Sequence, residues 1–429
     1  EAAMHRTKAI VTLLLAAVLA GCSGLLEQTA PSRVQEETLL TPSNAKLLVD
    51  GARAAFGCAY HAYITGTGLV TDEMEDDQLA AAGWDYDRRS VVPILGTTYA
   101  EGPCDAGQLF GVYRPMQVAR YQADYAFQIV TGFPDAEVAN KSTLLATASL
   151  YGAYAYLLLG EAFCTCAVSA PEEILTSGGS AELQSSDMFT AAESRFTQAI
   201  TLADGAGQSA IANAARVGRA RARLNLGKLA EAKADAQAVP AGFAFALPYN
   251  AATSYSQNLL FRRQRDFLLY GIAPPFRDLT FGGVPDPRVA VTNTGLRGAD
   301  AVSIVWVANK YTAQTSAIPL AKYQEAQLII AEIDGGQTAV GIINALHTAA
   351  GLPAFASSDP AAILAQVIQE RDRDLFLEGH RFWTIRRLNL ALNPVAGTAY
   401  PIKGGNYGDM RCFPLPDIER TNNPKLRGT

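Results

Sequence analysis

Histidine is scarce in this 429-residue chain: only His5, His61, His347 and His380 occur, and His5 falls in an N-terminal apolar leader. No His-Glu-x-x-His zinc motif appears, no Gly-x-Ser-x-Gly elbow and no phosphate-binding glycine loop. Gly66-x-Gly68 and Gly282-Gly283 lack the strand-then-helix context that a nucleotide loop needs. A basic stripe is missing too. The 35 Lys and Arg are outnumbered by 41 Asp and Glu, a formal charge of −6, so no nucleic-acid partner is expected. No metal, no other cofactor and no catalytic residue is expected either, although carboxylates are numerous enough to leave a glycosidase-type pair open. Beyond the leader, no segment is expected to be long and apolar enough to cross a bilayer.

The leader itself is informative. Met4, the expected initiator, begins Met4-His5-Arg6-Thr7-Lys8, and an apolar run follows over residues 9–20. The run ends Leu19-Ala20-Gly21-Cys22, small residues before a cysteine, the layout of a lipoprotein signal. Residues 1–21 are therefore expected to be removed and Cys22 lipidated, each buried methylene of its chains contributing about 0.8 kcal/mol of membrane anchoring. Ser23 at the next position suits release to the outer membrane, and residues 22–41, polar and carrying Pro31, read as a flexible tether. Removing Cys22 from the six cysteines leaves five: Cys58, Cys104, Cys164, Cys166 and Cys412. Export permits disulfides, and an odd count leaves at least one thiol unpaired. The expected pairing is Cys58–Cys104, with Cys412 joined to either Cys164 or Cys166.

The middle of the chain is helical and repetitive. Residues 150–163, 191–202 and 212–239 carry small residues at helix-crossing spacings. Leu226-Gly227-Lys228-Leu229-Ala230-Glu231-Ala232 fits the turn between two helices of a tetratricopeptide-like pair. Two stretches differ: residues 59–107, rich in Gly, Tyr and acids, and residues 243–315, with Pro274-Pro275, Gly282-Gly283 and Pro285-Asp286-Pro287. In the second, Val289, Val291, Val302, Ile304, Val305 and Val307 predict short strands. Both read as loop-rich excursions, the usual place for recognition.

Near the C-terminus, Asp359-Pro360 is a helix start, with Asp as cap and Pro at the first helical position. Ile363, Val367, Ile368, Leu375 and Phe376 then recur at helical spacing, and Gly379 is the expected C-terminal cap. Glu370 and Arg373 are close enough to pair, and Phe382, Trp383 and Ile385 are expected to face inward. Further on stand Phe413-Pro414-Leu415-Pro416-Asp417-Ile418-Glu419 and Asn423-Pro424; upstream stand Lys322-Tyr323-Gln324-Glu325 through Glu332 and Gly341 through Pro353. Together these segments resemble the signature of the SusD/RagB family, with His347 where Arg is common and Thr384 where Asp is common. The resemblance implies a mainly α, tetratricopeptide-like helical-repeat scaffold with irregular loop and short-strand excursions. It places a SusD-like domain over residues 42–429, with scaffold at about 108–240 and 320–390. It also implies a non-catalytic, lipid-anchored outer-membrane protein that holds nutrient over a TonB-dependent (SusC-like) transporter as its lid. The charges of the signature helix are then expected to be scaffold ion pairs.

The site is harder to locate. A sugar site needs exposed aromatic platforms beside amides and carboxylates. Gly83-Trp84-Asp85-Tyr86-Asp87-Arg88-Arg89 fits best, giving Trp84, Asp85, Tyr86 and Arg88 as candidate ligand residues, with Tyr99, Asn309 and Tyr311 behind them. Trp306 and Trp383 are expected in the core. Asp72-Glu73-Met74-Glu75-Asp76-Asp77 offers calcium-type oxygens without the spacing of a calcium loop, and reads as a solvated loop. The expected cargo is oligosaccharide, with peptide as the alternative. A helical-repeat envelope adaptor and a secreted hydrolase are the readings from other classes.

Overall fold

The structure, a computed structural model, describes residues 36–78, 81–169 and 179–426. The expected signal segment, Cys22 and most of the tether lie outside those residues; from Glu36 the chain already forms a helical turn, Glu36–Leu39.

The main helices are α1 (Ala45–Val70), α2 (Ala81–Asp87), α3 (Tyr113–Gly132), α4 (Lys141–Ala162), α5 (Ser185–Gly205), α6 (Ser209–Asn225) and α7 (Leu229–Gln237). After an excursion containing α8 (Leu259–Arg265) come α9 (Tyr323–Asp334), α10 (Gly336–Ala350), α11 (Pro360–Asp374), α12 (Arg381–Arg387) and α13 (Asp417–Asn422). Among the described residues the strands form antiparallel pairs only. In chain order they are β1 (Met74–Asp76), β2 (Thr165–Ala167), β3 (Glu182–Gln184), β4 (Ala244–Leu247), β5 (Tyr270–Ile272), β6 (Thr280–Phe281), β7 (Val284–Pro285), β8 (Val291–Arg297), β9 (Ile304–Ala308) and β10 (Ile318–Lys322), and the pairs are β1 with β5, β2 with β3, β4 with β10, β6 with β7 and β8 with β9.

The core lies between α1, α3, α4, α5 and α6. Two sequence expectations change here. The first excursion begins after Val70, not at Ala59, because Gly66 and Gly68 are packing glycines inside α1. A Cβ on Gly66 would stand 2.6 Å from the Val112 side chain, and one on Gly68 would stand 3.0 Å from the Met74 sulfur. Helix α4, at 22 residues, is after all long and apolar enough to span a bilayer, yet 83% of its apolar window is buried within the protein. An all-round apolar helix is what the centre of a layered helical stack requires.

The repeat pair expected around residue 227 forms. Gly227 adopts φ +74° between α6 and α7, and Arg219 and Arg223 reach Asp235 across the turn at 2.6 and 2.8 Å. Small residues set the spacing: a Cβ on Gly218 of α6 would lie 2.3 Å from the Phe196 ring of α5.

The signature charges are scaffold ion pairs, though not the pair drawn from spacing. Glu370 meets Arg288 at 2.5 Å and His347 at 2.8 Å, while Arg373 turns to Asp286 at 3.1 Å. Glu332 accepts from Arg371 (2.6 Å) and Arg387 (2.5 Å). Helix α11 also stops at Asp374, before Gly379: Leu377 turns to the left-handed φ +54°, and side chains bond the carbonyls at and beyond the helix end. Lys322 bonds the Asp374 oxygen, Lys310 Nζ the Phe376 oxygen at 2.6 Å, the Tyr311 hydroxyl the Leu377 oxygen at 3.1 Å, and the Tyr60 hydroxyl the Glu378 oxygen at 2.9 Å. Gly379 still adopts φ +78°, ending the turn that follows. Disulfides join Cys58 to Cys104 and Cys164 to Cys412, and Cys166 keeps a buried thiol.

Candidate functional site

Three segments remote in sequence meet at one edge of the scaffold. The first is β1, which leads from α1 to α2. Its register sets Glu75 opposite Gly271 and Asp76 opposite Tyr270 of β5. Gly271 is small for a reason: a Cβ there would lie 2.4 Å from the Asp77 carboxylate and 3.4 Å from the Trp306 backbone nitrogen. The hairpin β8–β9 can therefore lie against β5, bringing Trp306 to the same edge. Arg277, just beyond β5, donates from Nε to the Ile272 oxygen at 2.7 Å and places its guanidinium 5.0 Å from the Trp306 ring centre. The same guanidinium bonds the Glu75 carboxylate.

The loop 394–408 supplies the third wall. Lys403, with its side chain only 2% exposed, bonds the Asp76 oxygen at 2.5 Å and its carboxylate at 2.7 Å, with Asp300 at 3.5 Å. The Tyr400 hydroxyl donates to Asp87 at 2.9 Å, and Tyr400 packs edge-on to Tyr407 at 5.0 Å. Arg89 clamps the loop from the other side, donating to the Gly408 oxygen at 2.8 Å and to the Pro394 oxygen at 2.5 Å, with its guanidinium 4.9 Å from the Tyr407 ring. A cavity of about 250 Å³ remains, lined by Glu75, Asp76, Asp87, Arg277, Trp306, Tyr400, Lys403 and Tyr407, with Ile304 and Ile402 at its edge.

Burial dominates the electrostatics. It raises the Glu75 and Asp76 carboxyls to about 7, against the opposing pull of Arg277 and Lys403 respectively. Asp87 rises to about 6, its burial partly offset by the Asp76 backbone N–H and the Tyr400 hydroxyl. Asp77, fully buried, is raised to about 9 by burial and then by the charge of Glu75. The acidic run is thus not the solvated loop read from sequence: Asp72, Glu73, Asp76 and Asp77 are all buried, with Asp72 taken by Arg381 and Glu73 accepting the Leu377 N–H at 3.1 Å. Chemically, the junction offers aromatic surface beside charged and hydrogen-bonding groups, while Glu75, Asp76 and Asp87 are each already engaged. That is the equipment of a binding site.

The residues proposed from sequence are scattered relative to this junction. Trp84 is half-buried, its Nε1 donating to the Gln78 oxygen at 3.0 Å. Asp85 and Arg88 pair at 3.4 Å, and Arg88 also reaches the Gly404 oxygen of the third wall at 3.4 Å. Tyr86, Tyr99 and Tyr311 are buried and cannot serve as platforms. Tyr86 stacks on Phe110 at 5.2 Å, the Tyr99 hydroxyl donates to the Pro414 oxygen at 3.2 Å, and Tyr311 is tied to Leu377. Asn309 is exposed at the end of β9 and accepts from Arg265 and Thr292, each at 3.0 Å. Trp306, expected in the core, is half-buried at the cavity. Tyr400, Lys403 and Tyr407 were missed. The available signal was two tyrosines flanking Lys403-Gly404-Gly405, an aromatic and glycine-rich loop outside both expected excursions.

A family model described as SusD family matches residues 308–426. The fold is similar to that of a SusD-like carbohydrate binding protein from Bacteroides vulgatus: TM-score 0.66, 15% identity, over 90% of this chain and 97% of that one. It is similar to a SusD-like protein from Bacteroides fragilis, with TM-score 0.67 and 13% identity over 92% and 98%. A laminarin binding SusD-like protein gives TM-score 0.60 and 14% identity over 87% and 99%. No curated protein matches the chain.

Proposed function

We propose, from the match of residues 308–426 to the SusD family model and the likeness of the fold to SusD-like proteins, that the chain is a non-catalytic nutrient-binding lipoprotein of the cell envelope, taking oligosaccharide at the junction of β1, β9 and the loop 394–408. The observation that carries this reading is Trp306. Its indole is half-buried at the cavity with Arg277 packed against the ring, and the cavity wall behind it is formed by the buried Tyr400 and Tyr407 and by several carboxylates. Sugars present apolar ring faces and dense hydroxyls, and this combination offers partners to both. The non-catalytic part rests on the occupied state of the carboxylates: Arg277 holds Glu75, Lys403 holds Asp76 and Tyr400 holds Asp87. A glycosidase needs one such group free as acid and another as base or nucleophile. Solved relatives described as carbohydrate binding and laminarin binding support the choice of cargo.

The proposal extends to an anchor at Cys22 in the outer membrane and to a TonB-dependent transporter beneath, for which the protein acts as lid. Two measurements test it. The full chain is titrated calorimetrically with laminarin, starch, xylan and mannan oligosaccharides, and with peptides. Binding of a glycan, weakened about tenfold or more in Trp306→Ala with an unchanged melting temperature, is the expected result. Peptide binding alone would replace the cargo, and no binding at all would move the adaptor reading forward. Tagged protein is also recovered from detergent-solubilised membranes; absence of a large barrel in stoichiometric amount would refute the transporter partnership.

A further inference from the structure

A second hollow, about 550 Å³, lies between the outer face of α3 and α13. It is more than twice the size of the junction cavity at about 250 Å³, and falls within the range of small-molecule sites, roughly 300–1,000 Å³. Its inner wall is Tyr113, buried, with its hydroxyl accepting from Gln117 Nε2 at 3.1 Å. Val118 and Ile418 give it apolar sides. Tyr121 enters it half-buried, its ring stacked on Tyr125 at 5.8 Å and 9°, so the platform is held in place from one side. Amides ring the opening: Gln122 and Asn422 are both exposed. Among the described lining residues the charges balance, with Glu101 and Glu419 against Arg114 and Arg120, and Arg120 is already committed to Asp124 at 3.2 Å and Gln117 at 2.9 Å.

We propose that this groove is a second carbohydrate subsite, with Tyr121 as its stacking platform and Gln122 and Asn422 as hydroxyl partners. The choice of ligand class follows from the lining. A fatty chain or an apolar helix laid in the groove would bury the rim amides without partners, which is unfavourable. A polyanion finds no surplus of positive charge among the described lining residues, whereas a neutral oligosaccharide meets aromatic surface and amides at once. The ligand class rests on the reading of the protein as a glycan binder; the place and the residues do not.

The test is therefore arranged so that the two can fail separately. The full chain, Trp306→Ala, Tyr121→Ala, Trp306→Ala/Tyr121→Ala and Trp306→Ala/Tyr121→Phe are titrated with the neutral oligosaccharide panel. Weak binding that survives in Trp306→Ala, falls at least tenfold in Trp306→Ala/Tyr121→Ala and is retained in Trp306→Ala/Tyr121→Phe would establish the subsite. Loss of all binding in Trp306→Ala, with Tyr121→Ala equal to wild type, would overturn it and leave the junction reading standing. Binding lost in Tyr121→Ala but kept in Trp306→Ala would support the groove and refute the junction. Wild-type protein binding no member of the panel would overturn both. Far-UV circular dichroism of each variant identifies any loss that reflects misfolding.

Discussion

The same substitution, Gly to Ala, should have opposite effects at Gly51 and Gly218, and the structure says by how much. Both glycines lie inside long helices, α1 and α6, where replacing Gly by Ala gains about 0.5–1 kcal/mol from backbone entropy and helix propensity. Gly51 is exposed and a Cβ there meets nothing within 4 Å. The full gain should appear. At Gly218 the new carbon would stand 2.3 and 2.4 Å from two atoms of the Phe196 ring. Phe196 is fully buried and packs edge-on to Tyr154 at 4.9 Å, whose hydroxyl is in turn bonded to the Ala214 oxygen at 2.9 Å. The ring has nowhere to retreat, so α5 and α6 must separate. Overpacking of this kind costs about 1–3 kcal/mol, and at the middle of that range it outweighs the propensity gain by about 1 kcal/mol. The two variants should therefore differ by about 2 kcal/mol, Gly51→Ala above wild type and Gly218→Ala below it. Urea unfolding followed by far-UV circular dichroism measures both midpoints and slopes. A Gly218→Ala protein as stable as wild type would refute the claim that glycine sets the α5–α6 spacing.

Two further predictions concern buried charge. Arg288→Met removes the partner shared by Asp286 (2.8 Å), Glu370 (2.5 Å) and Asp374 (2.6 Å). Leaving these carboxylates short of their main cation should cost about 3–5 kcal/mol in urea unfolding; a loss under about 1 kcal/mol would show the web to be dispensable. Asp77 is raised to about 9, so the folded state holds a proton that the unfolded chain releases near 4. Its contribution is complete below about pH 4 and is lost as pH rises towards 9, with stability falling by up to about 1.4 kcal/mol per pH unit across that window. Asp77→Asn should flatten this decline, and denaturation curves for the two proteins that stay parallel between pH 5 and 8.5 would disprove it.

Much of the scaffold was legible because its signals are local. The α6–α7 turn announces itself in Leu226-Gly227, the cap of α11 in Asp359-Pro360 and the β8–β9 hairpin in its valines. What was not legible depends on partners distant in sequence. Nothing near Asp374 says that the helix ends there, with Lys322, Lys310, Tyr311 and Tyr60 satisfying the carbonyls at and beyond its end. Gly66 and Gly68 look like loop residues until Val112 and Met74 are placed against them. The candidate site suffered most. Tyrosine is equally at home as a platform or as a core residue with a bonded hydroxyl, and composition cannot tell that Tyr86 and Tyr99 are buried away from the cavity while Tyr400, equally buried, forms part of its wall. Trp306 was misplaced for the mirror reason: an apolar strand hides a tryptophan that the packing leaves at an edge.

The way the third wall is fastened also has a temporal consequence. Lys403 and Asp76 are 327 positions apart, and Tyr400 and Asp87 are 313 apart, so these are among the last contacts a chain leaving the ribosome can make. Loop closure over such distances carries an entropic cost that the α3–α7 stack, built from near neighbours, avoids. A partly folded chain can thus possess that part of the scaffold and still have no cavity. Ligand capture would then begin only at the final docking step, and bound ligand would hold that step closed by mass action. If the protein is exported as proposed, occupancy of the cavity would double as a certificate of finished folding.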